Sequence, residues 1–258
     1  MEQAMDHTKQ LQEQGGFAPA AATAAASHRP SEPFRAQRRC DGYAFVHKGL
    51  RAFLCEALTA VGRMDPEDSD EIAERLAMVR ALMDACRSHL KHENEHVHAA
   101  MEARRPGSSA RTAQDHVEHE AALGRLEADV CAVERSSGQE RIAAAGRLYR
   151  HLALFVAENL EHMHVEETQN NYVLWESYTD EELIAVENAI KASIPPRQMS
   201  AFLRWMVPFM NAGERALMLS GMKQSAPAEV FGSVMAAVKP HLTDADWRKL
   251  MAALEPTR

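Results

Sequence analysis

An all-α architecture, an antiparallel four-helix bundle with a C-terminal helical extension, follows from three features of this 258-residue sequence. Its composition favours helix: only 12 Gly, 11 Pro and 6% aromatic residues, with 46% hydrophobic residues to build a core. Apolar residues recur at helical spacing in four long consecutive segments, whereas strand-like alternation is hard to find. The connections between those segments are short, which makes successive helices antiparallel neighbours.

Residues 1–38 combine polar residues, an Ala-rich patch (APAAATAAAS) and a Pro/Arg stretch (HRPSEPFRAQRR), and they predict a disordered N-terminal tail. The bundle is expected over 39–176. Its first helix runs from about 42 to 62, with Tyr43, Val46, Leu50, Leu54, Leu58 and Val61 on one stripe; Gly62 and MDPEDSD end it. The second begins after Ser69 and continues to Arg104, where ARRPGSS supplies the Pro and Gly expected beyond a helix end. The third spans about 109–135 and is broken by ERSSGQE; the fourth spans about 139–173.

Residues 177–258 form the helical extension. Thr179 with Glu182 and Asn211 with Glu214 fit capping boxes, Thr243 with Asp246 is a near variant, and Pro195-Pro196 suits a helix entry. Met199, Met206, Met210, Met218, Met222 and Met235 fall at helical spacings and read as core fillers, with a partner-binding groove as the alternative. So much apolar surface must pack against itself, the bundle or another subunit, so the extension is where a protein partner or self-association is expected.

The net charge of −8 and the lack of a concentrated basic surface argue against nucleic-acid binding. No apolar run is long enough to span a bilayer, and the N-terminus lacks the pattern of an export signal. Cys40, Cys55, Cys86 and Cys131 form no CxxC pair and no dense disulfide framework, which predicts a reducing compartment and a cytoplasmic protein. Neither a GxGxxG fingerprint nor a Ser/His/Asp or Cys/His arrangement stands out.

Thirteen histidines are many for this length, and most lie in the four long segments. In a packed bundle the core rows repeat about every seven residues, so each His or Glu can be tested against its row-mates. Glu93 shares a row with Ile72, Val79, Cys86 and Ala100, and His89, one turn earlier, sits beside it with Leu82 and His96. His162 follows Leu148 and Phe155, while Glu166 follows Ala145 and Leu152 and precedes Val173. His116 keeps company with Leu123 and Val130, and His47 with Tyr43, Leu50 and Leu54. Four helices thus point six metal-capable side chains inward.

Reflection through the loops tests their heights. Centring the second turn near 106 sets His116 opposite 96, and centring the third near 137 sets His162 opposite 112, which agree within about a turn, or ~5.4 Å. Reflection about 65 sets His47 opposite 83, about two turns short of the 89/93 pair, so an irregular first connection is expected.

Imidazole and carboxylate donors suit iron or manganese, and no Cys joins these positions, which argues against an iron–sulfur or thiolate zinc site. Six ligands exceed the needs of one zinc. Two metals sharing one or both glutamates would use the whole set and neutralise buried carboxylates. The string His92-Glu93-Asn94-Glu95-His96 also matches the HExxH pattern of zinc proteases, but His92 lies outside the core rows and no third ligand is marked. Ferritin-like bundles use Glu-x-x-His, which Glu93 with His96 and Glu161 with His164 fit formally. His164 and Glu56, however, face outward. His96, His98, His119, His151 and His164 read as surface or supporting groups, His96 and His119 being best placed to orient a ligand. Tyr43 could line the pocket.

The segments FVHKGLRAF, HLKHENEHVHAAMEARRPG, DHVEHEAALGRLE and HMHVEETQNNYVLWESYTDEEL resemble the hemerythrin-like, or HHE cation-binding, family over residues 41–176. That family is an antiparallel four-helix bundle around a non-haem di-iron centre. It carries a lone His on the first and third helices and His-x-x-x-Glu on the second and fourth. The resemblance implies His47, His89, Glu93, His116, His162 and Glu166 as ligands of two irons per chain, oxo- or hydroxo-bridged. One position departs: oxygen-carrying hemerythrins have a second His where this chain has Glu120, while His119 points inward with the wrong spacing. That departure speaks against simple reversible oxygen carriage. The expected function is therefore binding or sensing of dioxygen, peroxide, nitric oxide or the iron and redox state; the alternative is a di-iron oxidase or peroxidase acting on a small substrate.

Overall fold

The computed structural model describes residues 39–255, with the side chains of Pro196 and Arg197 left aside. The tail expected over 1–38 lies outside the described residues, which are helical and contain no strand.

Helix α1 (Ala44–Arg63) starts where Asp41 Oδ1 accepts from the backbone N–H groups of Tyr43 and Ala44. α2 (Ser69–His92) is capped by Asp68, whose side chain accepts from Asp70 N and Glu71 N. It does not run unbroken to Arg104: a π segment, Glu93–His98, joins it to α3 (Ala99–Arg104). The third long helix is α4 (Ala110–Arg135). The fourth, α5 (Gly138–Val165), likewise passes through a π segment, Glu166–Asn170, into α6 (Asn171–Ser177). The turns before α4 and α5 place Gly107 and Gly138 at φ 83° and 54°, a conformation that glycine adopts without strain.

α1, α2, α4 and α5 close around one apolar core that includes Leu54, Leu82, Leu126, Leu148 and Phe155. The pairs Arg80–Glu134, Arg87–Glu120 and Asn94–His116 climb α2 while descending α4. Likewise, Asp129–His151 and Asp115–His162 run opposite ways along α4 and α5. A smaller cluster of Tyr43, Val97, Met101, Leu174 and Leu183 gathers the residues beyond the metal-capable ones. The polar residues therefore form one layer along the helices, with apolar packing before and after it.

The first connection needs no irregularity to bring His47 to His89. Helix side chains tilt toward the N-terminus, so on antiparallel helices two side chains lean toward each other. The helix ends at Arg63 and Ser69 centre the turn at 66 rather than 65, so His47 mirrors residue 85, and the tilt closes the remaining turn or so to His89.

The extension comprises α7 (Asp180–Ser193), α8 (Pro196–Phe209), α9 (Ala212–Ser225), α10 (Ala228–Val238) and α11 (Asp244–Leu254). The capping boxes at Thr179/Glu182 and Asn211/Glu214 are both formed, and Thr243 accepts from Asp246 N. Leu203, Val207, Leu219, Val234, Val238, Leu250 and Leu254 build its own core. It also docks on the bundle: Trp205 stacks on Phe53 at 4.0 Å between ring centroids, and Lys48 pairs with Glu214. α8 passes so close to α1 that a Cβ on Gly49 would stand 3.1 Å from Met206 Cα. Met199, Met218, Met222 and Met235 pack on the extension core, as core fillers would.

Candidate metal centre

The six residues singled out by their rows come together in two overlapping groups: His47, His89, Glu93 and Glu166, and Glu93, His116, His162 and Glu166. Within each group one ligand atom per residue lies within 4.8 Å of every other. The two glutamates belong to both. Glu93 Oε1 lies 3.1 Å from His89 Nε2 and 3.7 Å from His47 Nε2, while its Oε2 lies 3.5 Å from His116 Nε2. Glu166 Oε2 lies 3.2 Å from His162 Nε2 and 3.5 Å from His47 Nε2, and its Oε1 lies 3.9 Å from His116 Nε2. Each carboxylate therefore spans two imidazole pairs.

Close as these approaches are, none has hydrogen-bond geometry, and all four carboxylate oxygens are buried without a hydrogen-bond partner. Glu166 is fully buried and Glu93 nearly so. Buried ionised carboxylates in that condition are expensive unless a cation compensates them. The imidazoles are turned the right way for one. His47 Nδ1 bonds Glu167 Oε1 at 3.0 Å, His116 Nδ1 bonds Asn94 Oδ1 at 2.8 Å, and His162 Nδ1 bonds Asp115 Oδ2 at 3.2 Å. Donation from Nδ1 aims the lone pair of Nε2 into the cluster. Glu167 is itself held by Arg51; burial alone would raise its pKa, yet its bonds to His47 and Arg51 bring it to about 2.

Without metal, protons balance the charge. Burial depresses the basicity of His47, but Glu167, Glu93 and Glu166 outweigh it and raise its pKa to about 9. His162 is raised in the same way, against its burial, by Glu166 and Glu93. Their partners stay neutral: burial first, then neighbouring imidazoles, take His89 well below its ordinary range and His116 to about 2. His47 and His89 stand 3.2 Å apart, Nε2 to Nε2, and His116 and His162 stand 3.1 Å apart. Each pair can thus share one proton. Burial and the nearby Glu166 push the carboxyl of Glu93 upward.

Other buried histidines belong to neither group. His98 is buried, stacks on His116 at 4.8 Å and bonds Thr112 Oγ1 at 3.1 Å, so of its two expected readings it is a supporting group and not a surface one. His92, outside the core rows at regular helical spacing, is buried as well. The π segment after His92 widens the turn by about a residue and delays the side chains that follow, His98 among them, whereas His92 precedes it and lies on the side where the extension packs. His119 is buried edge-on to His162, at 4.8 Å, outside both groups, and its Nδ1 has no partner. Glu120 is exposed and lies 4.0 Å from Arg87. His164, Glu161 and Glu56 are exposed, which removes the ferritin-like arrangement; neither His92 nor His96 joins a metal-capable group with Glu93, which removes the HExxH one. Tyr43 is buried with its ring 5.0 Å from that of His47, and its hydroxyl accepts from Asn170 Nδ2.

No apolar row marks Asn94, Asp115 and Glu167, which are exposed or half-buried and reach the imidazoles with their side chains alone. Four of the six candidate ligands carry a signal of their own, the two His-x-x-x-Glu repeats at inward positions. Among the described residues no helix is long and apolar enough to cross a membrane. No curated protein and no solved structure matched the chain. The model of the Hemerythrin family, described as the hemerythrin HHE cation binding domain, matches residues 43–170, a span that contains both groups, so the chain carries a domain of that family.

Proposed function

We propose that this cation-binding protein holds two iron ions, one against His47 and His89, the other against His116 and His162, with Glu93 and Glu166 shared between them. The observation that carries this reading is the pair of buried carboxylates, each spanning both imidazole pairs and each without a hydrogen-bond donor. Nitrogen and oxygen donors with no thiolate suit iron. Six side chains also leave room for an external ligand on two ions. When bound, the iron pair supplies exchange between ferrous and ferric states and a position open to dioxygen, peroxide or nitric oxide.

The chain's own residues set the terms of that chemistry. Glu167, Asn94 and Asp115 fix three imidazole tautomers, and the protons on His47 and His162 must leave as cations enter. Exposed Glu120 offers no inward imidazole, which supports binding or sensing over simple reversible carriage. Residues 39–176 would hold the metals and 177–258 would pass their state to a partner or a second copy. A di-iron oxidase or peroxidase is the second reading, favoured by the cavity that reaches His89 and Glu93.

The test is a titration of reduced, iron-loaded protein with dioxygen, peroxide and nitric oxide, followed by visible absorption and by turnover of peroxide with a reductant. Stoichiometric spectral change without turnover supports binding or sensing; sustained turnover supports the enzyme; no change with any ligand contradicts both.

A further inference from the structure

One continuous cavity of about 730 Å³ separates the bundle from the extension. Its bundle wall includes Asp41, Tyr43, His89, His92, Glu93 and Asn171. The opposite wall, drawn from α7, α8 and α9, is apolar, with Ile190, Phe202, Leu203, Met206, Met218 and Met222 among its residues. Small-molecule sites have this size and this make-up, a mostly apolar lining with a few polar groups on one side. Unbranched methionines let such a lining adjust to its occupant.

The polar wall has an unused element. His92 is buried, belongs to neither metal-capable group, and holds Ser88 Oγ 3.4 Å from its Nδ1, which leaves Nε2 unassigned among the described residues. Glu93 turns its carboxylate to His89 and His116, away from the apolar wall, and the other charged groups named on the cavity are paired. Lys191 pairs with Glu187 at 2.8 Å, and Asp41 Oδ1 accepts from Tyr43 N, Ala44 N and Asn171 Nδ2. A charged ligand would therefore be desolvated without a free counter-charge, whereas a hydroxyl could exchange hydrogen bonds with an imidazole.

We infer that this cavity binds an uncharged amphiphile, a hydrocarbon body lying along the α8 and α9 wall and ending in a hydroxyl at His92, beside His89 and Glu93. The inference deepens the proposed function by naming the class of molecule that sits next to the metals. It rests on that reading only for their position, since the cavity's walls are side chains of this chain alone.

The test is calorimetric titration of the full chain, metal-free and iron-loaded, with 1-octanol, octanoate and octylammonium. One octanol site per chain is expected in both states, with the two charged analogues weaker by roughly tenfold or more. Gly221 lines the cavity, and a Cβ there meets nothing within 4 Å, so Gly221→Phe can fill the space without a clash at its base. That variant should weaken octanol roughly tenfold or more by overpacking the site. His92→Phe, which keeps the ring volume, should weaken it about fivefold through the lost hydrogen bond. Both variants should keep the helical circular dichroism of the parent. Absence of saturable binding to the metal-free parent overturns the inference, as does parental affinity in both variants, or octanoate binding tightest. Octanol binding to a chain that retains no iron would uphold the inference while refuting the metal reading.

Discussion

Glu166→Gln should make the metal-free protein more stable and the iron-loaded protein less so. Glu166 is fully buried, and neither of its oxygens has a hydrogen-bond partner. An unsatisfied buried group costs about 1–3 kcal/mol, and more when charged. An amide of the same shape removes the charge and, with its nitrogen in place of Oε2, can donate an N–H to His162 Nε2, which lies 3.2 Å from that oxygen. The opposing effect is the loss of the charge that keeps His162 protonated. The orphaned carboxylate is the larger of the two effects, and its relief is expected to stabilise the metal-free variant by about 1–3 kcal/mol. With a urea dependence of about 3 kcal/mol per molar, the midpoint should rise by roughly 0.3–1 M. Iron at a thousandfold excess over its dissociation constant adds about 4 kcal/mol to the parent, and the variant should forfeit most of it. The assay is urea unfolding of both proteins with and without ferrous iron under argon. A metal-free variant less stable than its parent, or one that gains as much from iron, would refute the reasoning.

The proton on His47 gives the metal-free protein a pH signature. Its folded pKa, about 9, exceeds the ordinary value of 6.5, so the folded state keeps a proton that the unfolded chain gives up. The stability this contributes is fully present below 6.5 and lost as pH rises through 9, on the order of 3 kcal/mol, whereas iron-loaded protein should lack the decline; urea midpoints at several pH values read it. Glu167→Gln keeps the size of the His47 partner but removes its charge, and should lower iron affinity about 10- to 100-fold with unchanged stoichiometry at saturation, as a competition titration with a chelator would show. Gly49→Leu forces α8 away from α1, where even an added Cβ would stand 3.1 Å from the Met206 backbone. A loss of about 1–3 kcal/mol in thermal or urea unfolding is expected, with iron content unchanged because no candidate ligand lies in α8.

The four long helices and the extension caps were legible because their signals are local: a stripe of apolar residues, a Thr or Asn three residues before an acid, a Gly or Pro at a break. The inward placement of His47, His89, Glu93, His116, His162 and Glu166 was legible because each interrupts or borders an otherwise apolar row. Row analysis assumes one helical period throughout, and it fails where the period changes. Both His-x-x-x-Glu repeats end on a glutamate that opens a π segment, and nothing in the residue pattern marks that switch. His98 lies within the first of these segments, so the rows could not decide between a surface and a supporting place for it. The cavity was illegible for a different reason: it depends on the angle at which α7, α8 and α9 cross the bundle, which no periodicity encodes.

The most direct test is metal analysis of the full chain, purified without added metal from cells grown with ample iron. Close to two iron atoms per chain, with negligible zinc, is the result expected from two imidazole pairs sharing two glutamates. One zinc per chain and no iron would contradict the account.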